Sequence, residues 1–191
     1  TVQTIQTTEI YTRLDAAVRE GYTAISLQGS ARSGKTYNVM IWLILYALRV
    51  PSIKISVVRA TLPALKGSVL EDFEAIMRQL GVYNERHFNK TDLVYWFRTR
   101  STIEFFSASD EQRLRGRKRD ILFVNEANEL TAIQFQQLKM RTTRLTIVDY
   151  NPSFSEEHWI AKDLNKDPRT YHFVSTYKDN PFLEQTVIDE I

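Results

Sequence analysis

The sequence predicts an α/β protein: a mainly parallel sheet flanked by helices, with a β-hairpin addition. Three observations predict it. Short β-rich runs alternate with stretches of helical period along the chain, the pattern of strands joined by crossover helices. Residues 120–125 are largely apolar without alternation, as expected of a strand covered on both faces. Residues 23–48 run from a short apolar strand through a glycine-containing loop into a long apolar helix. The length of 191 residues suits one domain, and 43% apolar with 25% charged residues is enough for one core.

The elements follow in order. Residues 8–18 read as a helix capped by Thr7 or Thr8, and residues 23–28 as a strand. The next helix, 35–48, stops before Pro51, whose ring disfavours helical backbone in the residue before it. Residues 53–59 (IKISVVR) form a strand, and 65–80 a helix ended by Gly81. Residues 93–97 and 102–107 pair as a hairpin around 98–101. Then come a strand at 120–125, a helix at 131–141, and strands at 145–149 and 171–176 with a helix at 155–164 between them. No internal repeat or low-complexity tract interrupts this order.

Composition excludes several classes. The chain has no cysteine, which rules out disulfides and thiolate metal sites and points to an intracellular location. His87, His158 and His172 lack metal-ligand spacing, so no zinc is expected. The run VMIWLILYAL at 39–48 is half the roughly 20 residues of a membrane span, so it reads as a buried helix, and no membrane association is expected. The N-terminus carries no basic-then-apolar signal pattern. The net charge of +2 says little about a nucleic-acid partner. Arg113, Arg115, Arg117, Lys118 and Arg119 concentrate five cations in seven residues, which read either as a solvated loop or as a phosphate-facing surface.

The chemistry centres on Gly29-Ser30-Ala31-Arg32-Ser33-Gly34-Lys35-Thr36, which fits GxxxxGK(S/T) at every fixed position. Two glycines at that spacing let successive N–H groups turn inward on phosphate oxygens. The helix starting at Lys35 adds the positive end of its dipole. Lys35 is expected to reach the β- and γ-phosphates of ATP, and the Thr36 hydroxyl to ligate Mg2+. Arg32 either touches the γ-phosphate or points to solvent. The fold class is therefore that of a P-loop NTPase, RecA/ASCE-like.

Such a site needs a second strand ending in acid. Ile121-Leu122-Phe123-Val124-Asn125-Glu126 supplies four apolar residues and then Asn-Glu, where Asp-Glu is usual. Asn125 can accept a hydrogen bond from a metal-bound water but brings no charge, so weaker Mg2+ binding is expected. Glu126 is the candidate base that polarises the attacking water. Glu129, three residues on, reads as a solvated acid or a helix cap.

Several segments together resemble the large terminase subunit of tailed bacteriophages. They are QGSARSGKT, VVRATLPALKGSVLEDF, FFSASDEQRLRGRKRD leading to FVNEANEL, the strand ending DYNP, and STYKDNPFL, in order from residue 28 to 183. The phosphate loop is shared with many ATPases; the later segments are specific in combination. The resemblance implies an ATPase domain over residues 1–191, the motor half of a DNA-packaging machine, with the family's C-terminal RNase H-like nuclease absent from this chain. Residues 177–183 resemble the exit toward the linker. Residues 146–149 followed by Tyr150-Asn151-Pro152 resemble the coupling motif that senses the γ-phosphate. Asn151 is the matching polar residue, or else a turn former before Pro152.

The resemblance also implies double-stranded DNA, portal protein and small terminase subunit as partners. It further implies a homo-oligomeric ring, usually pentameric, working in the host cytoplasm and transiently at the procapsid portal vertex. A ring neighbour would insert an arginine finger, for which Arg59 and Arg115 are candidates, and the N-terminal stretch with Gln3 and Gln6 would meet adenine. Other readings are another DNA-dependent P-loop motor such as a helicase, a small-molecule or nucleotide kinase, against which the Asn-Glu strand end favours water as acceptor, or a non-catalytic nucleotide-binding assembly module. A helicase needs a second such domain, for which 191 residues leave no room. The module would owe its inactivity to Asn125, against which Glu126 is retained.

Overall fold

The computed structural model of the chain describes residues 4–30, 33–176, 178 and 180. The first helix, α1 (Glu9–Arg19), starts where the Thr8 side chain accepts the Ile10 N–H, one of the donors a helix start leaves unsatisfied. Strand β1 (Ala24–Gly29) leads to α2 (Lys35–Arg49). Residues 39–44 of α2 are all buried, so the apolar run is a core helix, as expected. Trp42 Nε1 donates to Asp15 Oδ1 at 3.0 Å and ties α2 to α1. No described helix is long and apolar enough to cross a membrane.

After β2 (Lys54–Arg59) the chain forms α3 (Leu62–Leu65), a π-helical turn at Lys66–Leu70, and α4 (Glu71–Gln79). This continuous helix begins three residues earlier than residue 65. Thr61 caps it by accepting from Ala64, and Pro63 sits in the first turn, where its missing N–H costs nothing. Gly81 follows its end at φ 68°, as expected. The predicted hairpin is β4 (Val94–Trp96) with β5 (Thr102–Ser107), extended by a two-residue edge strand, β3 (Phe88–Asn89), too short to read from the sequence.

The second half comprises α5 (Glu111–Leu114), β6 (Arg119–Val124), α6 (Ala132–Lys139), β7 (Thr142–Tyr150) and β8 (Thr170–Ser175). The helix expected at 155–164 is not there as such: only a π-helical turn, Ile160–Leu164, forms. Aromatic packing explains the difference. Phe154 stacks on His158 with centroids 4.2 Å apart, and Trp159 stacks on Phe135 at 4.3 Å. Trp159 Nε1 also donates to Leu130 O at 2.9 Å. Residues 155–158 form a turn, with His158 N donating to Ser155 O, and Trp159 anchors the segment on α6 through Phe135.

The sheet order is β3-β4-β5-β2-β6-β7-β1-β8. Every pair from β5 to β8 is parallel; β3 and β4 are antiparallel additions. Alternate residues feed two cores. Ile121 and Phe123 of β6 face the α1, α2 and α4 side, and Leu122 and Val124 face α6. β7 lies between β1 and β6, with Leu27 opposite Asp149 and Val124 opposite Val148. Its C-terminal end is thereby wedged between the phosphate loop and the Asn125-Glu126 corner.

Candidate active site at the strand ends

Two glycines shape the loop. A Cβ at Gly29 would lie 2.5 Å from Ser175 O on β8, closer than atoms can approach. Gly34 takes φ 81°, a left-handed backbone that side chains resist, and starts α2 there. Lys35 turns back onto the loop. Its Nζ donates to Gly29 O (3.0 Å), Ser30 O (2.9 Å), Ser33 Oγ (3.2 Å) and Asn151 Oδ1 (3.3 Å). The ammonium thus sits at the centre of the loop, and Asn151 of β7's exit reaches it. Ser30 Oγ is buried without a hydrogen-bond partner among the described residues. Ala31 and Arg32 lie outside the described residues, as do Gln3 and residues 181–183.

At the next strand ends, Thr36, Asn125 and a third residue, Asp149, form one cluster. Asp149 is 1% exposed. It accepts from Thr36 Oγ1 at 2.7 Å, from Asn125 Nδ2 at 2.9 and 3.0 Å on its two oxygens, and from the Glu126 N–H at 2.7 Å. Asn125 Nδ2 also donates to Thr36 Oγ1 at 3.1 Å. The amide orientation follows from chemistry, because turning it over would set Oδ1 against a carboxylate. Asn125 Oδ1 is left buried with no partner among the described residues. Glu126 holds φ 50°, ψ 54°, a left-handed conformation costing about 1–2 kcal/mol for a residue with a Cβ. That bend turns its N–H onto Asp149.

The charges perturb one another. Burial lowers the Lys35 pKa, opposed by the charges of Asp149 and Glu126. Burial raises the Glu126 carboxyl, and nearby Asp149 adds to the rise while Lys35 and Arg59 oppose it. Burial also raises Asp149, against the donors from Thr36, the Glu126 backbone and Asn125, and the charge of Lys35. Asp72 on α4 is pushed up to about 6 by burial, by Glu71 and by Asp149. Among the described residues no group of three His, Cys, Asp or Glu side chains could cage a metal.

Asp149 was missed as a site residue by sequence reasoning. The signal was present: Leu145-Thr146-Ile147-Val148-Asp149 is a second buried run ending in acid, like residues 121–126. Only the strand order reveals that this acid stands beside Thr36.

The remaining candidates separate. Arg59 is held within its own chain: Nη1 donates to Ala64 O (3.2 Å) and Ser68 Oγ (2.9 Å), and Nε lies 3.6 Å from Glu129. Glu129 is thus an ion-pair partner. The basic segment divides. Arg113 donates to Phe105 O and Asp92 O, and buried Arg119 donates to Ser56 Oγ and Leu138 O. Arg115, Arg117 and Lys118 are exposed, Arg115 beside Glu111 at 3.8 Å. Gln6 lines a cavity of about 380 Å³ with Thr8, Gly34, Tyr37, Asn38 and Gln79, next to the start of α2.

A family model described as phage terminase large subunit matches residues 23–191. No curated protein matches the chain. Among solved structures, the large terminase of a thermophilic bacteriophage superposes with a TM-score of 0.81 at 18% identity, covering 97% of this chain and 50% of that one. The same protein in complex with ATP-gamma-S gives 0.75 at 19% identity, covering 95% and 47%. The large terminase ATPase domain of Thermus phage P74-26 gives 0.59 at 13%, covering 91% and 82%. At these identities the likeness is one of fold, that of a P-loop NTPase. The chain spans about half the length of the first of these terminases.

Proposed function

The chain belongs to the phage terminase large subunit family, and on that premise we propose that it binds and hydrolyses Mg-ATP to drive double-stranded DNA into a viral procapsid. The observation carrying the proposal is the convergence of Lys35, Thr36, Asn125, Glu126 and Asn151 at the ends of three adjacent parallel strands. Ligands of open parallel α/β sheets bind at that edge.

The residues fit a magnesium-bound nucleotide. Ser30 Oγ and Asn125 Oδ1 are buried polar atoms in need of partners, and they flank the loop and the Thr36 hydroxyl. Thr36 and Asn125 would hold the magnesium ion, which when bound neutralises charge on the β- and γ-phosphate oxygens. Because ATP's own oxygens supply ligands, no protein-only cage is needed.

Lys35 exchanges loop carbonyls for phosphate oxygens when ATP enters. Arg32 is positioned in sequence to meet the γ-phosphate. Glu126 accepts a hydrogen bond from the attacking water and orients it; its raised pKa makes the carboxylate a stronger proton acceptor, as a general base needs. Asn151, whose Oδ1 accepts from Lys35 Nζ at 3.3 Å, registers loss of the γ-phosphate in this reading and passes it to β7. Gln6, in its cavity beside α2, is a reader of the adenine edge.

An arginine in trans completes the site in a homo-oligomeric ring. Ala64 O and Ser68 Oγ hold Nη1 of Arg59, although its Nε has no hydrogen-bond partner among the described residues, whereas Arg115 has only an exposed pair with Glu111, weak in water. This favours Arg115. Such an arginine contributes on the order of 10³ to 10⁵ in rate, so an isolated subunit turns over slowly. In this reading the ring works in the host cytoplasm at the portal vertex, with portal protein and the small terminase subunit as partners. It meets DNA phosphates without reading sequence. The test is single-turnover ATP hydrolysis by the chain beside variants of Lys35 and Glu126.

A further inference from the structure

β6 ends in an amide where a magnesium site asks for negative charge. The carboxylate of the cluster comes from elsewhere: Asp149, at the end of β7, the strand inserted between β1 and β6. Three contacts converge on it. The hydroxyl of Thr36 donates to Oδ2 at 2.7 Å, which couples the acid directly to the loop residue that would hold the metal. Asn125 gives its Nδ2 to both carboxylate oxygens, so the amide acts as the donor half of a pair in which Asp149 is the acceptor half. The Glu126 N–H adds a third donor at 2.7 Å, at the cost of a left-handed backbone.

The same pairing leaves Asn125 Oδ1 buried and unpartnered among the described residues. A purely structural amide–carboxylate pair gains nothing from an orphaned acceptor, which is costly when buried. An acceptor waiting for a metal-bound water explains it.

We propose that Asp149 carries the negative charge of the magnesium site in place of residue 125, acid and amide having exchanged strands. The proposal rests on the reading of this cluster as a Mg-ATP site. It corrects one expectation drawn from that reading: Asn125 does not by itself imply a site short of charge.

The experiment measures ATP binding by calorimetry in excess magnesium and in EDTA, with Mn2+ spin resonance in the presence of ATP as a second readout of the metal. The proteins are the chain itself, Asp149→Asn, and the exchange variant Asn125→Asp with Asp149→Asn, each checked for folding by thermal melting. Asp149→Asn is expected to bind ATP in EDTA as the parent does, while the gain in affinity from magnesium falls ~10- to 100-fold. The exchange variant, which keeps one acid and one amide in contact, is expected to recover most of that gain.

An Asp149→Asn protein with the full magnesium gain would overturn the proposal. So would a folded exchange variant with no recovery, and that variant decides the matter if Asp149→Asn does not fold. A parent that binds no ATP under either condition would instead remove the reading of the site as a nucleotide site, an outcome distinct from a parent and a variant that bind alike.

Discussion

Replacing Arg119 with alanine should unfold the protein more readily while leaving any DNA surface untouched, although the residue closes the most basic stretch of the chain. Arg119 is 2% exposed. Its Nε donates to Ser56 Oγ at 2.9 Å and its Nη1 to Leu138 O at 2.8 Å. Ser56 in turn donates to Glu104 Oε1 at 2.6 Å, so the guanidinium joins β6, β2, β5 and the end of α6. Burial lowers its pKa, and the Glu104 charge opposes that. Hydrogen bonds from a charged group are each worth about 1.5–3 kcal/mol net. Loss of the two therefore costs about 3 kcal/mol at the lower bound. In a domain of this size that corresponds to a fall in Tm of roughly 6–12 °C.

The control is Arg117→Ala with Lys118→Ala, both exposed, which should change stability by no more than about 0.5 kcal/mol. If they face DNA, the same pair should lower the slope of log affinity against log salt by roughly 2. Thermal melting by circular dichroism and a salt titration of DNA binding separate the two effects. An Arg119→Ala protein that melts within about 2 °C of the parent yet loses DNA affinity would refute this division of the segment.

Two further outcomes follow from the geometry. Gly29→Ala places a methyl group 2.5 Å from the Ser175 backbone oxygen, which no rotamer change can relieve; β1 and β8 must separate. Urea unfolding should show a loss of about 1–3 kcal/mol, with nucleotide affinity falling alongside because the strand leads into the loop. Asp72 titrates at about 6 in the folded chain against an ordinary value of 3.8. A raised carboxyl contributes stability below the unfolded pKa that is lost as pH rises through the folded one. Asp72→Asn should therefore match the parent near pH 4 and exceed it at pH 8 by about 1 kcal/mol, after allowance for partial solvent screening. The comparison is made without nucleotide or metal, and an Asn variant no more stable than the parent at pH 8 counts against it.

Much of the fold was legible because its elements are locally consistent. The phosphate loop, α2 and the apolar run of β6 each combine period, flanking glycine and length in one direction. Of the candidate site, what the sequence offered was what a contiguous motif carries: residues 29–36 and Asn125-Glu126. What was not legible depends on the order of strands. Asp149 lies 113 residues from Thr36 in sequence, and only the insertion of β7 beside β1 makes them neighbours. The split of the basic segment was hidden for a like reason. Arg113 and Arg119 look like their exposed neighbours until the carbonyls of Phe105 and Leu138 are seen to receive them. The helix expected at 155–164 is shortened to a π-helical turn at Ile160–Leu164, where Trp159 stacks on Phe135 of α6, a tertiary contact that local propensity does not carry.

Single-turnover ATP hydrolysis tests the central claim most directly, comparing the chain with Lys35→Ala and Glu126→Gln over a range of protein concentration, with and without double-stranded DNA. Lys35→Ala should lose nucleotide binding, whereas Glu126→Gln should keep it and lose hydrolysis by about 10²- to 10⁴-fold. The parent's rate per subunit should rise with concentration as neighbours complete the site. Hydrolysis by Glu126→Gln at the parent's rate, or by Lys35→Ala at any comparable rate, would contradict the account.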